Sequence, residues 1–261
     1  MSKQNNLTEL SLKAKLRLVK MHYDSKVGHI GGNLSSLDLM IILHHRIIKS
    51  DDLFILSKGH AAGALYITKW TTGDLTDDDL KTFHQDHTSL AGHPIAKAFS
   101  GSRFSTGSLG HGLGLATGVA LARKLKNEEG VIYCLTSDGE WQEGSTWESF
   151  NFLVSRGLSN ITVLVDSNKL QGFGEIKDVI PLVSLTERLS VYDIELIQCN
   201  GHNLNSIEEA LLRRSERPKV VILDTVKGKG VSFMENKMEW HYLPLTDNQY
   251  QQAITELVNE K

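Results

Sequence analysis

An α/β fold, a doubly wound parallel sheet with helices on both faces, is what the sequence predicts, and two observations carry that prediction. Short apolar runs rich in β-branched residues (FIL, VIYCL, ITVLV, DIELIQCN, KVVILDT) alternate with segments whose apolar residues recur every three or four positions. No linker, repeat or shift of composition interrupts the alternation, which is the pattern of strand, helix, strand units with right-handed crossovers. A length of 261 residues with 40% hydrophobic content can bury a sizeable core, and residues 1–261 are read as one domain.

Residues 7–25 form an amphipathic helix that ends before VGHIGG. A second helix is expected over about residues 35–48, after that glycine loop. FIL is a short strand that runs through the loop SKGH into the helix AAGALYITKW. In TGDLTDDDLKTFHQD, Thr76 stands three residues before Asp79, a helix N-cap arrangement with acidic residues in the first turn. GLATGVALARKL is a helix of small residues that permit close packing. VIYCL and ITVLV flank WESFNFLVSRG, a helix that stops at Gly157. Beyond Gly174, Pro181 and a short helix signal over residues 184–189 mark a surface or interface excursion. DIELIQCN is a strand, Ser206 with Glu209 caps the helix SIEEALLRR, and KVVILDT is the next buried strand. KGKGVSFMENKMEWHY reads as a long loop, after which Thr246 with Gln249 starts a last helix expected to run to Lys261.

A net charge of −3 with mixed signs gives no basic field for nucleic acid, and no uninterrupted apolar stretch approaches a membrane span. MSKQNNLTEL lacks the apolar core of a signal peptide, so the expected compartment is the cytoplasm and Asn6-Leu7-Thr8 is not a usable glycosylation site. Cys134 and Cys199 fall in predicted strands and are expected to be inert buried thiols.

The chemistry is most legible over residues 131–172. Parallel strands put their carboxyl ends on one edge, so Asp138 and Asn168 should emerge close together where open α/β sheets bind ligands. With the backbone carbonyl of Leu170 they make a hard, all-oxygen half-shell, suited to magnesium or calcium and poor for zinc. Magnesium completes such a shell with water and phosphate oxygens; Gly139 would let a backbone N–H approach a phosphate, and the following helix adds its positive end. By themselves Asp138 and Asn168 are equally well turn residues that follow strands.

Five histidines, His29, His60, His93, His111 and His202, follow a glycine, more than the glycine content accounts for. A glycine beside a polar ring lets the backbone turn sharply and a ligand come close. Any single one of them is more often a loop or capping histidine, and none has the spacing of helical zinc ligands. The glycines at 110, 112, 114 and 118 suggest a dinucleotide-dependent oxidoreductase, but they follow no strand and lack the spacing of that fingerprint.

TSDGEWQEGSTWE and VDSNKLQG resemble the thiamine-diphosphate signature in its transketolase version, and the resemblance extends along the chain. VGHIGGNLSSLDL resembles that family's first histidine loop and SKGHAAGALY its second. AGHPIAKAFSGSRFSTGSLGHGLGLATG resembles the third with its glycine turn, and KGKGVSFMENKMEWHY the fourth. The resemblance implies that Asp138, Asn168 and the Leu170 carbonyl hold the metal, magnesium with calcium or manganese as substitutes, that clamps the diphosphate. Gly139 and Glu140 are counted with Asn168 among the cofactor-binding residues, although Glu140 stands at a variable position of the family. His60 and His241 would contact the diphosphate side, and Gly107, Ser108 and Leu109 would lie along the aminopyrimidine and thiazole. His29 and His93 would face the sugar donor and, with His241, hold hydroxyls and move protons; Glu143 corresponds to the family's interface glutamate.

Three departures stand out. Ser137 replaces the glycine that usually precedes the aspartate, which costs little unless that position needs positive φ. Ile30 stands where the first loop commonly has proline, and Tyr242 where the fourth commonly has glycine. Both add bulk beside a histidine expected to face substrate, and they point toward specialised sugars.

The resemblance covers only the first of the family's three domains. The second supplies the glutamate that protonates the aminopyrimidine, and nothing after His241 could encode it. The chain is therefore expected to be one subunit of a split transferase that moves a two-carbon ketol unit from a ketose, or ketose phosphate, to an aldose. Its partner would be a separate C-terminal subunit with the pyrimidine-binding domain, in an α2β2 assembly. A catalytically silent assembly subunit is the alternative. Trp141, Trp147, Phe150 and Phe152 on one helix, and Phe233, Met234, Met238 and Trp240 in the late loop, are the candidate interface, with at least two of the helical four expected to pack on the sheet.

Overall fold

The computed structural model describes residues 3–259, with side chains from residue 6 onward; the expected end of the last helix at Lys261 lies outside the described residues. The first half comprises α1 (Lys3–Ser25), α2 (Ile30–Ile42), β1 (Leu53–Leu56), α3 (Ala62–Thr71), α4 (Asp77–Lys81), α5 (Gly112–Lys126) and β2 (Ile132–Ser137). There follow α6 (Gly144–Ser155), β3 (Ile161–Ser167), β4 (Leu170–Gln171), β5 (Gly174–Glu175), α7 (Ile176–Val179) and α8 (Leu185–Leu189). The chain closes with β6 (Glu195–Asn200), α9 (Leu204–Leu212), β7 (Lys219–Asp224) and α10 (Asp247–Asn259).

Five strands form one sheet in the order β1-β2-β3-β7-β6, each parallel to its neighbours, while β4 and β5 make a small antiparallel hairpin. The strands are apolar on both faces because both faces are covered: Ile132, Cys134, Val163 and Ile222 point into one core, Tyr133, Leu135, Leu164 and Val221 into the other. Right-handed crossovers decide which helix goes where. The steps β1 to β2 and β2 to β3 run in one direction and lay α5 and α6 on one face; the step from β6 back to β7 runs the other way and puts α9 opposite, with α1, α2, α3 and α10. This is the doubly wound parallel sheet expected from the alternation.

Local signals held at several ends. Thr76 Oγ1 accepts from Asp79 N (3.2 Å) while Asp79 Oδ2 accepts from Thr76 N (2.7 Å), and Ser184 with Glu187 makes the same reciprocal cap at α8. Thr246 and Gln249 start α10 in this way too.

Others did not. The helix expected from residue 35 begins at Ile30, because His29 takes left-handed φ (64°) and turns the chain so that Gly31 and Gly32 form the first helical turn. Gly31 packs there against Trp240 and Lys227, so tertiary contact overrides the weak helix propensity of the pair. The cap of α9 is Asn203, whose Oδ1 accepts from Ser206 N (3.0 Å), and Ser206 sits inside the first turn. Cys134 is buried, but Cys199 is only half-buried because β6 is an edge strand. The hairpin β4–β5 precedes and opens the excursion expected beyond Gly174, and the short α7 lies within it.

The aromatic residues proposed for an interface divide. Trp141 and Phe150 are fully buried under the sheet, as expected of at least two, whereas Phe152 stays exposed. Met234 and Trp240, expected on a docking surface, are instead buried against α2 and its neighbours, because the late loop folds back over the sheet end.

Candidate cofactor and sugar site at the carboxyl edge of the sheet

The carboxyl ends of β1, β2, β3 and β7 converge on one edge. Asp138 follows β2 directly, and its N–H donates to the Asp166 carbonyl (3.1 Å), extending the ladder by one residue. Its carboxylate accepts from Gly139 N (2.9 Å) and Lys169 N (2.6 Å), so the loops after β2 and β3 are fastened together through this side chain. Asn168 is also buried; its Oδ1 accepts from Leu170 N (3.0 Å) and its Nδ2 donates to Ser35 Oγ (3.4 Å). Leu170 opens the hairpin beside them. Ser137, the last residue of β2, has extended backbone, so serine costs nothing in place of glycine, and its Oγ accepts from Glu140 N (3.3 Å).

Two lysines complete this floor, and both went unnoticed in the sequence. Lys58, at the end of β1, is fully buried; its ammonium donates to Ser36 Oγ (2.8 Å) and Gly32 O (3.2 Å) and is paired with Asp166. Lys227, after β7, is also buried and donates to His241 Nδ1 (3.2 Å). The available signal was position: each lysine directly precedes a glycine at the end of an apolar run, in SKGH and VKGKG. Burial pushes Asp166 up, but Lys58, Ser35 and Thr225 outweigh it and hold that carboxyl below the usual range. Burial, with Lys58 next to it, lowers Lys227 to about 8.

This charge pattern tests the fit of a metal and a diphosphate. Burial first, then the nearby Asp166, raises Asp138 to about 7, the mark of a carboxylate that lacks a countercharge. Among the described residues no group of three or more His, Cys, Asp or Glu side chains converges to hold a metal, so a cation at Asp138 and Asn168 would draw oxygens from a phosphate and from water. The two buried ammonium groups supply the positive field such a phosphate needs. The residues fit the group.

Above this floor the structure assembles the four expected imidazoles. Ring centroids lie 5.7 Å apart for His29 and His60, 5.7 Å for His29 and His93, 5.1 Å for His29 and His241, and 5.3 Å for His60 and His241. Asn33, another residue the sequence did not single out, holds two of their loops, its Nδ2 donating to the carbonyls of His29 (2.8 Å) and His60 (3.1 Å). Burial lowers all four rings; His29 falls to about 4, with His93 and Lys227 adding to the effect, and His241 to about 3, with Lys227 adding most. They are neutral imidazoles at neutral pH, able to accept as well as donate.

His111 and His202 do not join them. His111 is exposed at the start of α5, and His202 is a structural clasp, bonded to Asp38 (3.1 Å) and accepting from Val226 N (2.9 Å). Ile30 adds no bulk to the site, being buried in the core as the first residue of α2. The glycine turn lies against the cluster: Gly107 meets the ring of His93, with half-buried Leu109 and exposed Ser108 following. Exposed Glu143 stands beside Gly110 at the start of α6.

Glu140 turns away from the floor. Its fully buried carboxylate accepts from the Ser57 hydroxyl, from Gly110 N (2.9 Å) and from Ser137 N (3.4 Å), tying the ends of β1 and β2 to the glycine turn. Glu140→Ala should therefore take the acceptor from these three buried donors and cost about 2–3 kcal/mol of stability in denaturant titration, with Glu140→Gln costing clearly less. Equal losses in the two variants would contradict that role.

Comparison with known proteins gives the following. A family profile described as transketolase, thiamine diphosphate binding domain, matches residues 14–260. An apulose-4-phosphate transketolase subunit from Actinobacillus succinogenes is 34% identical over 267 residues, with 97% of each chain covered. The 6-deoxy-6-sulfo-D-fructose transketolase subunit SqwG of Clostridium sp. (strain MSTE9) is 33% identical, with 90% of each covered. The structure superposes on transketolase from Campylobacter jejuni with a TM-score of 0.87 at 27% identity, covering 99% of this chain but only 43% of that one.

Proposed function

This chain belongs to the transketolase family, in its thiamine diphosphate binding domain, and from that membership we propose that it is the cofactor-holding subunit of a two-component transketolase. The reaction read for the pair is transfer of a two-carbon ketol unit from a ketose or ketose phosphate to an aldose. The observation that carries this reading is the juxtaposition of buried Asp138 and Asn168 with the ammonium groups of Lys58 and Lys227 beneath four neutral imidazoles.

Asp138, Asn168 and the Leu170 carbonyl would hold magnesium, with calcium or manganese as substitutes, and through it the diphosphate. Lys227 and Lys58 would balance the remaining phosphate charge, and His60 and His241 would donate to its oxygens. Gly107, Ser108 and Leu109 would flank the ring system, and Gly139 would stand beside the diphosphate. Thiamine diphosphate, when bound, supplies the electron sink that stabilises a carbanion on the donor carbon. His29, His93 and His241 would then bind donor hydroxyls and carry protons; neutral rings suit that work because each has both a lone pair and an N–H.

Relatives of nearly the same length are named as subunits, and this chain spans about two fifths of a single-chain transketolase. The rest of the site, including the carboxylate that activates the aminopyrimidine, is read as belonging to a separate C-terminal subunit in an α2β2 assembly, with Glu143 at the interface. A cytoplasmic location accompanies this reading; no helix among the described residues is long and apolar enough to cross a membrane.

Reconstitution tests it. The chain alone should gain thermal stability from thiamine diphosphate with magnesium, and none from NAD, because a ligand bound only by the native state raises the melting temperature. It should transfer no ketol unit until the subunit with the pyrimidine-binding domain is added. A lone chain that is monomeric and fully active would refute the split-enzyme reading, and a pair that binds cofactor but turns over no ketose would favour the silent assembly subunit.

A further inference from the structure

We propose that Tyr242 is the residue of this chain that selects among ketose donors, by closing the sugar cavity on the side of the hairpin that follows the metal loop. The inference rests on the transketolase reading and adds the determinant of donor size to it.

A cavity of about 230 Å3 lies beside the imidazole cluster, lined by His29, His60 and His241 together with Asn33, Phe83 and Tyr242. Among the described residues no lysine, arginine or carboxylate lines it. Such a cavity suits the uncharged, hydroxylated carbons of a ketose and holds no fixed positive charge for a donor's terminal phosphate, so this chain discriminates by shape and hydrogen bonding along the carbon skeleton.

Tyr242, like exposed His84, joins the cavity wall to solvent, and it is held by several contacts although 55% exposed. Its N–H donates to the Glu239 carbonyl (3.0 Å), its hydroxyl donates to the Gly172 carbonyl (3.0 Å), and its ring meets that of His241 edge-on at 4.9 Å. It fits between two close backbone approaches. A methyl group on Gly28 would strike the Tyr242 carbonyl, and one on Gly172 would strike the phenol oxygen. The backbone of Tyr242 thus abuts the turn before His29 while its phenol reaches the hairpin after Asn168, and the ring cannot swing aside without breaking its bond to Gly172. A wall pinned at both ends sets a size limit, whereas a free side chain would yield to a longer sugar.

The test uses the chain reconstituted with the subunit that carries the pyrimidine-binding domain, and compares kcat/KM for five-, six- and seven-carbon ketose phosphates. Tyr242→Gly should raise the seven-carbon to five-carbon ratio by about tenfold or more, the scale on which pocket walls discriminate. Tyr242→Phe keeps the ring but frees it from Gly172, so it should raise the ratio by less than the glycine variant does, and Tyr242→Leu should fall between those two, standing in for the glycine variant if that one does not fold. Calorimetry of thiamine diphosphate and magnesium binding to each variant chain alone monitors folding independently of turnover. An unchanged ratio in cofactor-binding Tyr242→Gly or Tyr242→Leu, with the wild-type pair active, overturns the role of Tyr242 alone. A wild-type pair inert toward every ketose overturns the transketolase reading and this inference with it.

Discussion

Asp138→Ala should abolish magnesium-dependent binding of thiamine diphosphate, weakening it by about 100-fold or more, roughly 3 kcal/mol, in calorimetry with and without a chelator. The carboxylate is the one anionic ligand in the proposed half-shell, and no other described side chain in reach could replace it: Asp166 is already committed to Lys58, Ser35 and Thr225. The fold itself should tolerate the change. Asp138 is raised to about 7 by burial and by Asp166, so the apo protein gains little from an ionised group there and loses only the two backbone bonds that the carboxylate accepts. Asn168→Ala should act in the same direction. Wild-type affinity in either variant, measured with the partner subunit present, would remove the foundation of the proposed function.

Lys58→Met should be the most destabilising single change at this edge, by about 3–5 kcal/mol, because it strands a buried carboxylate. Lys58 and Asp166 are both fully buried and paired, and the same ammonium also satisfies Ser36 and the Gly32 carbonyl, so one side chain closes the end of β1 onto the start of α2. For a chain of this size the melting temperature should drop by on the order of 10 °C. The pH dependence follows from the depressed Asp166. A carboxyl whose folded pKa lies below its unfolded value stabilises the protein above that unfolded value, and the contribution is lost as pH falls through the folded one. The gap between wild type and Lys58→Met should therefore be full at neutral pH and shrink in acid, and adding Asp166→Asn should restore part of the loss. A gap that does not change between neutral and acid pH would show that the pair's charge is not what the substitution removes.

Sequence alone determined the class of sheet, the order of its strands in the chain and the sheet edge that Asp138 and Asn168 share, because each depends on neighbours close in sequence. Hydrophobic period separates strand from helix, crossover handedness follows from strand and helix alternating, and Asp138 and Asn168 owe their proximity to being the residues that follow adjacent parallel strands. The four imidazoles were legible singly, through their glycines and the family resemblance, but their convergence within 6 Å was not. Tertiary structure alone decided which charges are buried. Lys58 and Lys227 look like surface lysines in a glycine loop until β1, β3 and β7 bring Asp166 and the cluster against them, and Glu140 looks like a ligand until Ser57 and Gly110 close around it. It also separated Ile30 from Tyr242, two bulky departures in the sequence, by turning one into the core at a left-handed His29 and leaving the other exposed in the cavity wall. The physical reason is common to these cases: periodicity is a property of a segment, whereas burial and pairing of a polar group depend on long-range neighbours that no window of sequence contains.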